Sequence, residues 1–261
     1  MSEIPQEKME GGGHKDLFID YPRPFPTAAE KWEVPTEEFL EASSGVVTIL
    51  DSLGVLFYFP RSDVNTNVTH LKEFYAKDRE KYSTLKSIVE SEGSIEGPGT
   101  HRLLYLKRGL ELTFLFFRYV LEDYDTGVRS EGTQDIIRRA YEETLEKHHL
   151  WIVRNTAQVP SVRSLSTVVS CDACVLVHEA RNSRMGRSHE AHLMLFSIAP
   201  SRNGMISCLT YGGEGPETEK QVMENMRAWL ANFSPCLEEV KDLFNSKGLE
   251  SEESVVESAE N

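Results

Sequence analysis

Between residues 100 and 121 the chain reads THRLLYLKRGLELTFLFFRYVL. Leu103, Leu106, Leu110, Phe114, Phe117 and Leu121 recur at helical steps, and Leu104, Leu112, Leu115 and Phe116 fill other faces. The pattern predicts a helix buried nearly all round. It is long enough to cross a bilayer, but Arg102, Lys107, Arg108, Glu111 and Arg118 lie inside it, and each would be costly at the membrane centre. A central helix in a soluble all-α domain fits this pattern, and stable transmembrane insertion does not. Lys107 and Arg108 stand side by side near Tyr105, so one turn is expected to face something polar.

Other amphipathic stretches flank this helix. Pro35-Thr36 opens one that carries Phe39, Ala42, Val46, Ile49, Leu50 and Leu53, closed by Gly54. After the apolar bend VLFYFP, where Pro60 is expected to break the chain, Ser62 or Asp63 is a candidate cap for a helix burying Val64, Val68, Leu71 and Phe74. Tyr82, Leu85, Ile88 and Val89 predict another, and a fifth starts at Thr133 and runs toward HHLWIV. From about residue 159 to 192 the sequence turns Ser-, Val- and Arg-rich and reads as an irregular insertion. Helical character resumes at Pro216, with Val222, Met226, Trp229, Leu230 and Phe233 on one stripe and a kink or break expected at Pro235. Residues 1–34, rich in Pro, Gly and Glu, read as a disordered leader, in which only Trp32 is a candidate to dock; residues 248–261 read as an acidic disordered tail. The expected domain is 35–247.

Composition narrows the class. A hydrophobic fraction of 39% supports a real core, and a net charge of -14 argues against nonspecific nucleic-acid binding. The N-terminal stretch lacks the apolar core of a signal peptide, and the four cysteines do not form a secreted disulfide framework, so a reduced cytoplasmic protein is expected.

Asp63, Asn67 and His70 fall at i, i+4 and i+7 on one helical face. Together they offer a carboxylate, an amide and an imidazole to a polyhydroxylated ligand. Spacing alone leaves open a plainer reading, in which Asp63 is a helix N-cap and the others are solvated. The succession FLEASSGVVTILDSLG, SDVNTNVTHLKEFY, LLYLKRGLELTFLF and AYEETLEKHHLW, in this order, resembles the glycolipid transfer protein family over about residues 39–156, and again over about 193–247. The resemblance implies a two-layer, all-α sandwich, with the irregular insertion before its last helices. It also implies one sphingolipid site: a polar headgroup pocket at the surface and a collapsible apolar tunnel between the layers.

The family's Asp-x-x-x-Asn-x-x-Lys motif then falls on Asp63, Asn67 and His70, so Asp63 is expected to accept the ceramide amide N–H and Asn67 to bond the sugar, while His70 departs from the motif's lysine. Tyr105 takes the place of the tryptophan on which the sugar stacks. His149 and Trp151 match the family's His-x-Trp, in which the imidazole bonds the ceramide carbonyl and the indole meets the membrane interface; core packing is the plainer reading of Trp151. Family members that bind ceramide-1-phosphate carry Lys at the Asn67 position and Arg at the Tyr105 and His101 positions. This chain has Asn, Tyr and His there, so a glycosylceramide is the expected ligand, with His101 and Arg102 as auxiliary headgroup contacts and ceramide-1-phosphate the alternative. The resemblance thus implies lipid transfer without chemical change, transient contact with membranes, no catalytic residue and no cofactor.

Two rival classes have weaker support. Cys171-x-x-Cys174 followed by His178, His189 and His192 is rich in zinc-ligand types, but the histidine spacing is too tight for a finger, and no metal is expected. Ser, His and Asp are all present without a Gly-x-Ser-x-Gly elbow or a phosphate loop, which leaves an enzyme reading with no motif.

Overall fold

The most buried helix is also the one that the others share. In a computed structural model, residues 15–20, 23–54, 57–145 and 199–250 are described. Their helices are α1 (Leu17–Asp20), α2 (Thr36–Ser52), α3 (Tyr58–Tyr75), α4 (Leu85–Glu92), α5 (Pro98–Asp125), α6 (Gln134–Thr144), α7 (Arg202–Leu209) and α8 (Pro216–Ser246). There is no strand among the described residues, only two isolated bridges, Pro35 with Thr84 and Gly132 with Ser201. The helices form an all-α, two-layer sandwich. α5 packs directly against α3, α4, α6 and α8, and α2 packs against α3. Leu103, Leu106, Leu110, Phe116 and Phe117 of α5 are fully buried, so apolar area on every side holds this helix in place.

Local chemistry sets the ends of these elements. The side chains of Thr84 and Ser87 reciprocate as a capping box at α4, and Gly93 ends that helix in the left-handed region. Gly97, the N-cap of α5, has no side chain to offer, so Glu92 at the end of α4 accepts from the Gly99 and Thr100 amides at 3.0 and 2.6 Å. α3 begins at Tyr58, earlier than expected. Pro60 sits in its first turn, where a missing N–H costs nothing. α8 likewise runs on through Pro235, because the flanking Phe233, Cys236 and Leu237 are all buried and hold the helix on the core. α7 was not expected; Ser201 caps it by accepting from Gly204. At its start Arg202 bonds Asp123 of α5 at 2.5 Å and Glu219 of α8 at 2.8 Å, which ties three helix ends together.

Over its described part the leader is not disordered. Phe18 packs edge-on to Phe117 and beside Trp229, and Phe25 stacks on Phe233 with centroids 4.1 Å apart. α8 grips this strap at three points. Asn225 donates to Asp16 (2.6 Å), Asn232 exchanges hydrogen bonds with the Phe25 backbone (2.7 and 3.2 Å), and Glu239 accepts from the Trp32 amide (2.9 Å). The Trp32 indole adds a bond to Asp242. The tail also starts ordered: Gly248 turns left-handed, the Leu249 amide returns to the Phe244 carbonyl, and Leu249 packs on the core. Residues 1–14, the 159–192 segment and residues 251–261 lie outside the described residues.

Phe25 is 2% exposed. Phe25→Ala is therefore expected to destabilise the fold by about 3–5 kcal/mol, read as a lower urea midpoint. An unchanged midpoint would show that the strap carries no packing energy.

Candidate functional site

Because α3 starts at Tyr58, Asp63 lies in its second turn and is not the helix N-cap. Its carboxylate is therefore not spent on capping the helix. It points toward α5 where Gly109 allows close approach: a Cβ there would stand 2.9 Å from Val64 Cγ2 and 3.4 Å from Asp63 Oδ2. One turn on, Asn67 is buried at 2% exposure. Its Nδ2 donates to the Asp63 carbonyl (3.0 Å) and to Asp63 Oδ1 (3.1 Å). Arg102 of α5 completes the array, with Nη1 donating to Asn67 Oδ1 at 3.4 Å.

These contacts fix the asparagine amide, with its oxygen toward the cation and its N–H groups toward the carboxylate. Burial pushes the Asp63 carboxyl up to about 7; the Asn67 hydrogen bond and the Arg102 charge only partly offset this. Around neutral pH the group is poised between acid and carboxylate, and a ligand N–H donated to it would favour the carboxylate.

His70 does not join this array. It lies on the same stripe as Asp63 but about 10 Å further along the axis, and it is exposed. The cation that does meet the array is Arg102 on the neighbouring helix, expected as an auxiliary contact. Tyr105 is half-buried one turn beyond His101, with the two rings 4.6 Å apart and edge-on, and the Arg108 guanidinium lies 5.5 Å from its centroid. Asp63, Asn67, Arg102 and Tyr105 thus flank one α3–α5 contact, with His101 at its exposed edge. His149 and Trp151 lie outside the described residues, as do Cys171, Cys174, His178, His189 and His192. Among the described residues no cluster of His, Cys, Asp or Glu could hold a metal ion.

The polar turn at Lys107 and Arg108 is buried and faces the chain's own end. Lys107 pairs with Glu111 at 3.4 Å and with the Glu250 carboxylate, and Arg108 Nη2 donates to the Glu250 carbonyl at 3.2 Å. Sequence reasoning missed Glu250. It is one acidic residue in an acidic tail, and its partner lies 143 residues away.

Comparison with known proteins bears on the family and the fold that carries this array. The family model described as Glycolipid transfer protein (GLTP) matches residues 34–162, a span that holds α2 to α6 and the whole Asp63–Asn67–Arg102 array. The chain belongs to the glycolipid transfer protein family. This is a family of lipid-transfer proteins rather than enzymes. Glycolipid transfer protein A of Xenopus laevis is 25% identical over 236 residues, covering 86% of this chain and 93% of the frog protein. A dog protein, pleckstrin homology domain-containing family A member 8, is 33% identical over 197 residues, covering 72% of this chain but 37% of the dog protein. The chain therefore spans nearly all of the frog relative and little more than a third of the dog one. Among solved structures, one describing how FAPP2 selects simple glycosphingolipids with the GLTP fold superposes with a TM-score of 0.66 at 23% identity, covering 91% of this chain and 98% of that one. Mouse ceramide-1-phosphate transfer protein superposes with a TM-score of 0.61 at 22% identity, covering 86% and 93%. Likeness at these identities establishes the fold, and both headgroup classes occur among the neighbours.

The raised Asp63 pKa has a consequence for stability. The folded state holds this proton more tightly than the unfolded chain, so the contribution is full below the ordinary value of 3.8 and is lost as pH rises through about 7. Asp63→Asn, which cannot ionise, is expected to melt higher than the parent chain at about pH 8, with the gap closing as pH falls toward about 4. A gap independent of pH would show that Asp63 titrates normally.

Proposed function

We propose that this chain binds one sphingolipid with a neutral sugar headgroup, a glycosylceramide, and moves it between membranes without altering it. The observation that carries the reading is the array of Asp63, Asn67 and Arg102 beside Tyr105. It offers a carboxylate for the ceramide amide N–H, an oriented amide and a guanidinium for sugar hydroxyls, and an aromatic ring for the sugar to stack on. Asn67 and Tyr105 stand where phosphate-binding members of the family carry cations. A dianionic phosphate calls for several charge-assisted bonds, and Arg102, the cation seen bonded to this array among the described residues, is shared with Asn67.

The apolar interior would replace the bilayer around the acyl chains at about 0.8 kcal/mol per CH₂, while the polar array decides which lipid enters. By family resemblance His149 accepts the role of bonding the ceramide carbonyl and Trp151 that of meeting the membrane interface. Among the described residues no helix is long and apolar enough to cross a membrane, which accords with peripheral, transient membrane contact and cytoplasmic residence. The lipid-binding unit spans residues 17–250 in this reading, a little more at each end than the sequence pattern indicates.

The test is vesicle-to-vesicle transfer of labelled glucosylceramide, galactosylceramide and ceramide-1-phosphate. The sugar lipids are expected to move and the phosphate lipid to lag. Asp63→Val is expected to weaken uptake by roughly 10- to 150-fold, the worth of one bond to a charged acceptor, with helicity retained. Uptake by the parent chain is expected to fall as pH drops through about 7, because protonation removes the acceptor. Preference for ceramide-1-phosphate would overturn the headgroup assignment, and transfer of none of the three would overturn the function.

A further inference from the structure

α3 is pressed against α5 at two glycines. A Cβ on Gly109 would stand 2.9 Å from Val64 Cγ2 and 3.4 Å from Asp63 Oδ2, and a Cβ on Gly99 would stand 2.7 Å from both Phe74 Cε1 and Ile88 Cγ2. Val64 and Phe74 belong to α3, and their pairing with Gly109 and Gly99 in that order makes the two helices antiparallel. Each pair is ten residues apart on its own helix, about 15 Å of axis. The two seats are therefore in register, one at each end of a single span. Carbon atoms pack at about 3.5–4.0 Å, so neither seat admits a side chain unless a neighbour yields. Val64 is β-branched and confined to one rotamer in a helix, so at Gly109 it is α3 itself that must move. Neither glycine is left-handed. Alanine would suit the interior of α5 better than Gly109 does, and what glycine permits there is the closeness of the neighbouring helix.

The headgroup array fills the span between the seats. From α3 comes Asn67, 2% exposed, and from α5 come Arg102 and Tyr105, both half-buried. Asp63 borders the Gly109 seat itself. The bond that crosses from one helix to the other, Arg102 Nη1 to Asn67 Oδ1, is 3.4 Å long, near the limit at which a hydrogen bond survives. Moving α3 outward by about 0.6 Å, enough to restore ordinary carbon contact at Gly109, carries this bond past that limit. The bonds from Asn67 to Asp63 lie within α3 and travel with it. Helix spacing thus governs the cross-helix half of the array and leaves the Asp63 acceptor in place.

We infer that Gly99 and Gly109 are positioning residues of the headgroup site: they fix the α3–α5 spacing at both ends of the array, and that spacing selects a ceramide carrying a sugar over the same ceramide without one. The inference rests on the headgroup reading above and adds to it two residues that have no side chain to offer a ligand. In that reading the ceramide amide and tails need Asp63 and the apolar interior, which a small change of spacing leaves in place. The sugar needs Asn67 and Arg102 to converge from different helices, and such a constellation works only when held to within about 0.5 Å.

The test measures uptake of glucosylceramide, and of ceramide with the same acyl chain, from neutral phosphatidylcholine vesicles. It compares the full chain with Gly109→Ala, with Gly109→Ala combined with Val64→Ala, and with Gly99→Ala, folding being checked by far-UV circular dichroism. Gly109→Ala is expected to lower the ratio of glucosylceramide to ceramide uptake by about tenfold, the worth of one hydrogen bond to a charged group, with ceramide uptake itself within about twofold of the parent. Val64→Ala removes the methyl that the new Cβ meets, so the double variant is expected to recover most of the ratio. Gly99→Ala is expected to lower the ratio as well, and it decides the matter if Gly109→Ala does not fold. An unchanged ratio in folded variants would overturn the inference and leave the function standing. Equal loss of both lipids would assign the glycines to packing alone and also overturn it. So would a fallen ratio that Val64→Ala does not recover, because the contact at Gly109 would then not be the cause. A parent chain that takes up no glucosylceramide would instead overturn the headgroup reading, and the inference with it.

Discussion

Everything in this molecule answers to the burial of one long helix that is not wholly apolar. α5 carries Lys107 and Arg108 into an otherwise largely apolar core, with Arg102 and Glu111 half-buried at its edge. A buried charge without a partner would cost several kcal/mol, so each must find its counterpart in another part of the chain. Arg102 meets Asn67 of α3, Lys107 meets Glu111 and Glu250, and Arg108 meets the carbonyl of Glu250. These pairings hold α3 and the end of α8 at defined positions along α5. The polar array between α3 and α5 results from the same requirement. Asp63 and Asn67 are oriented by one another and by a guanidinium, and the cost of burying the Asp63 carboxyl shows in its raised pKa.

Much of this was legible from the chain. The stripes of α2, α5, α6 and α8 are long enough for periodicity to identify them, and the spacing of Asp63 and Asn67 marked their shared face. Where the reading failed, the information was not local. Phe18 and Phe25 stand alone in a proline-rich stretch with no period, and the residues that grip the strap lie about two hundred positions later. Pro60 was read as a break and Pro235 as a kink or a break, yet one falls in a first turn and the other inside a helix that continues because its neighbouring residues are buried. α7 has only eight residues, too short for a period to declare itself, although Ser201 was a usable capping signal.

The candidate site divides in the same way. A shared helical stripe guarantees a shared face and not a shared partner, so His70 followed the pattern and still ended in solvent. Arg102 supplies the cation because α3 and α5 cross at Gly109, a fact of packing that spacing along α3 cannot contain. Glu250 was invisible for a related reason. An acidic tail looks uniformly solvated until a glycine turn directs one of its residues inward.

The strap across α8 has a polarity of its own. Its three anchors on α8, Asn225, Asn232 and Glu239, follow one another at intervals of seven residues, and the strap meets them in the same order with Asp16, Phe25 and Trp32. Trp32 lies next to Pro35, where α2 begins, so it is delivered to its anchor by a helix already in place. Once it is seated, the Phe25 backbone is tethered near Asn232 at an effective concentration of order millimolar or more, and Asp16 follows in turn. The seven-residue interval brings each anchor to the same side of α8, two turns further along. Between the anchors Phe18 lodges against Phe117 and Trp229 while Phe25 stacks on Phe233, so one strap contributes two aromatic rings to the core.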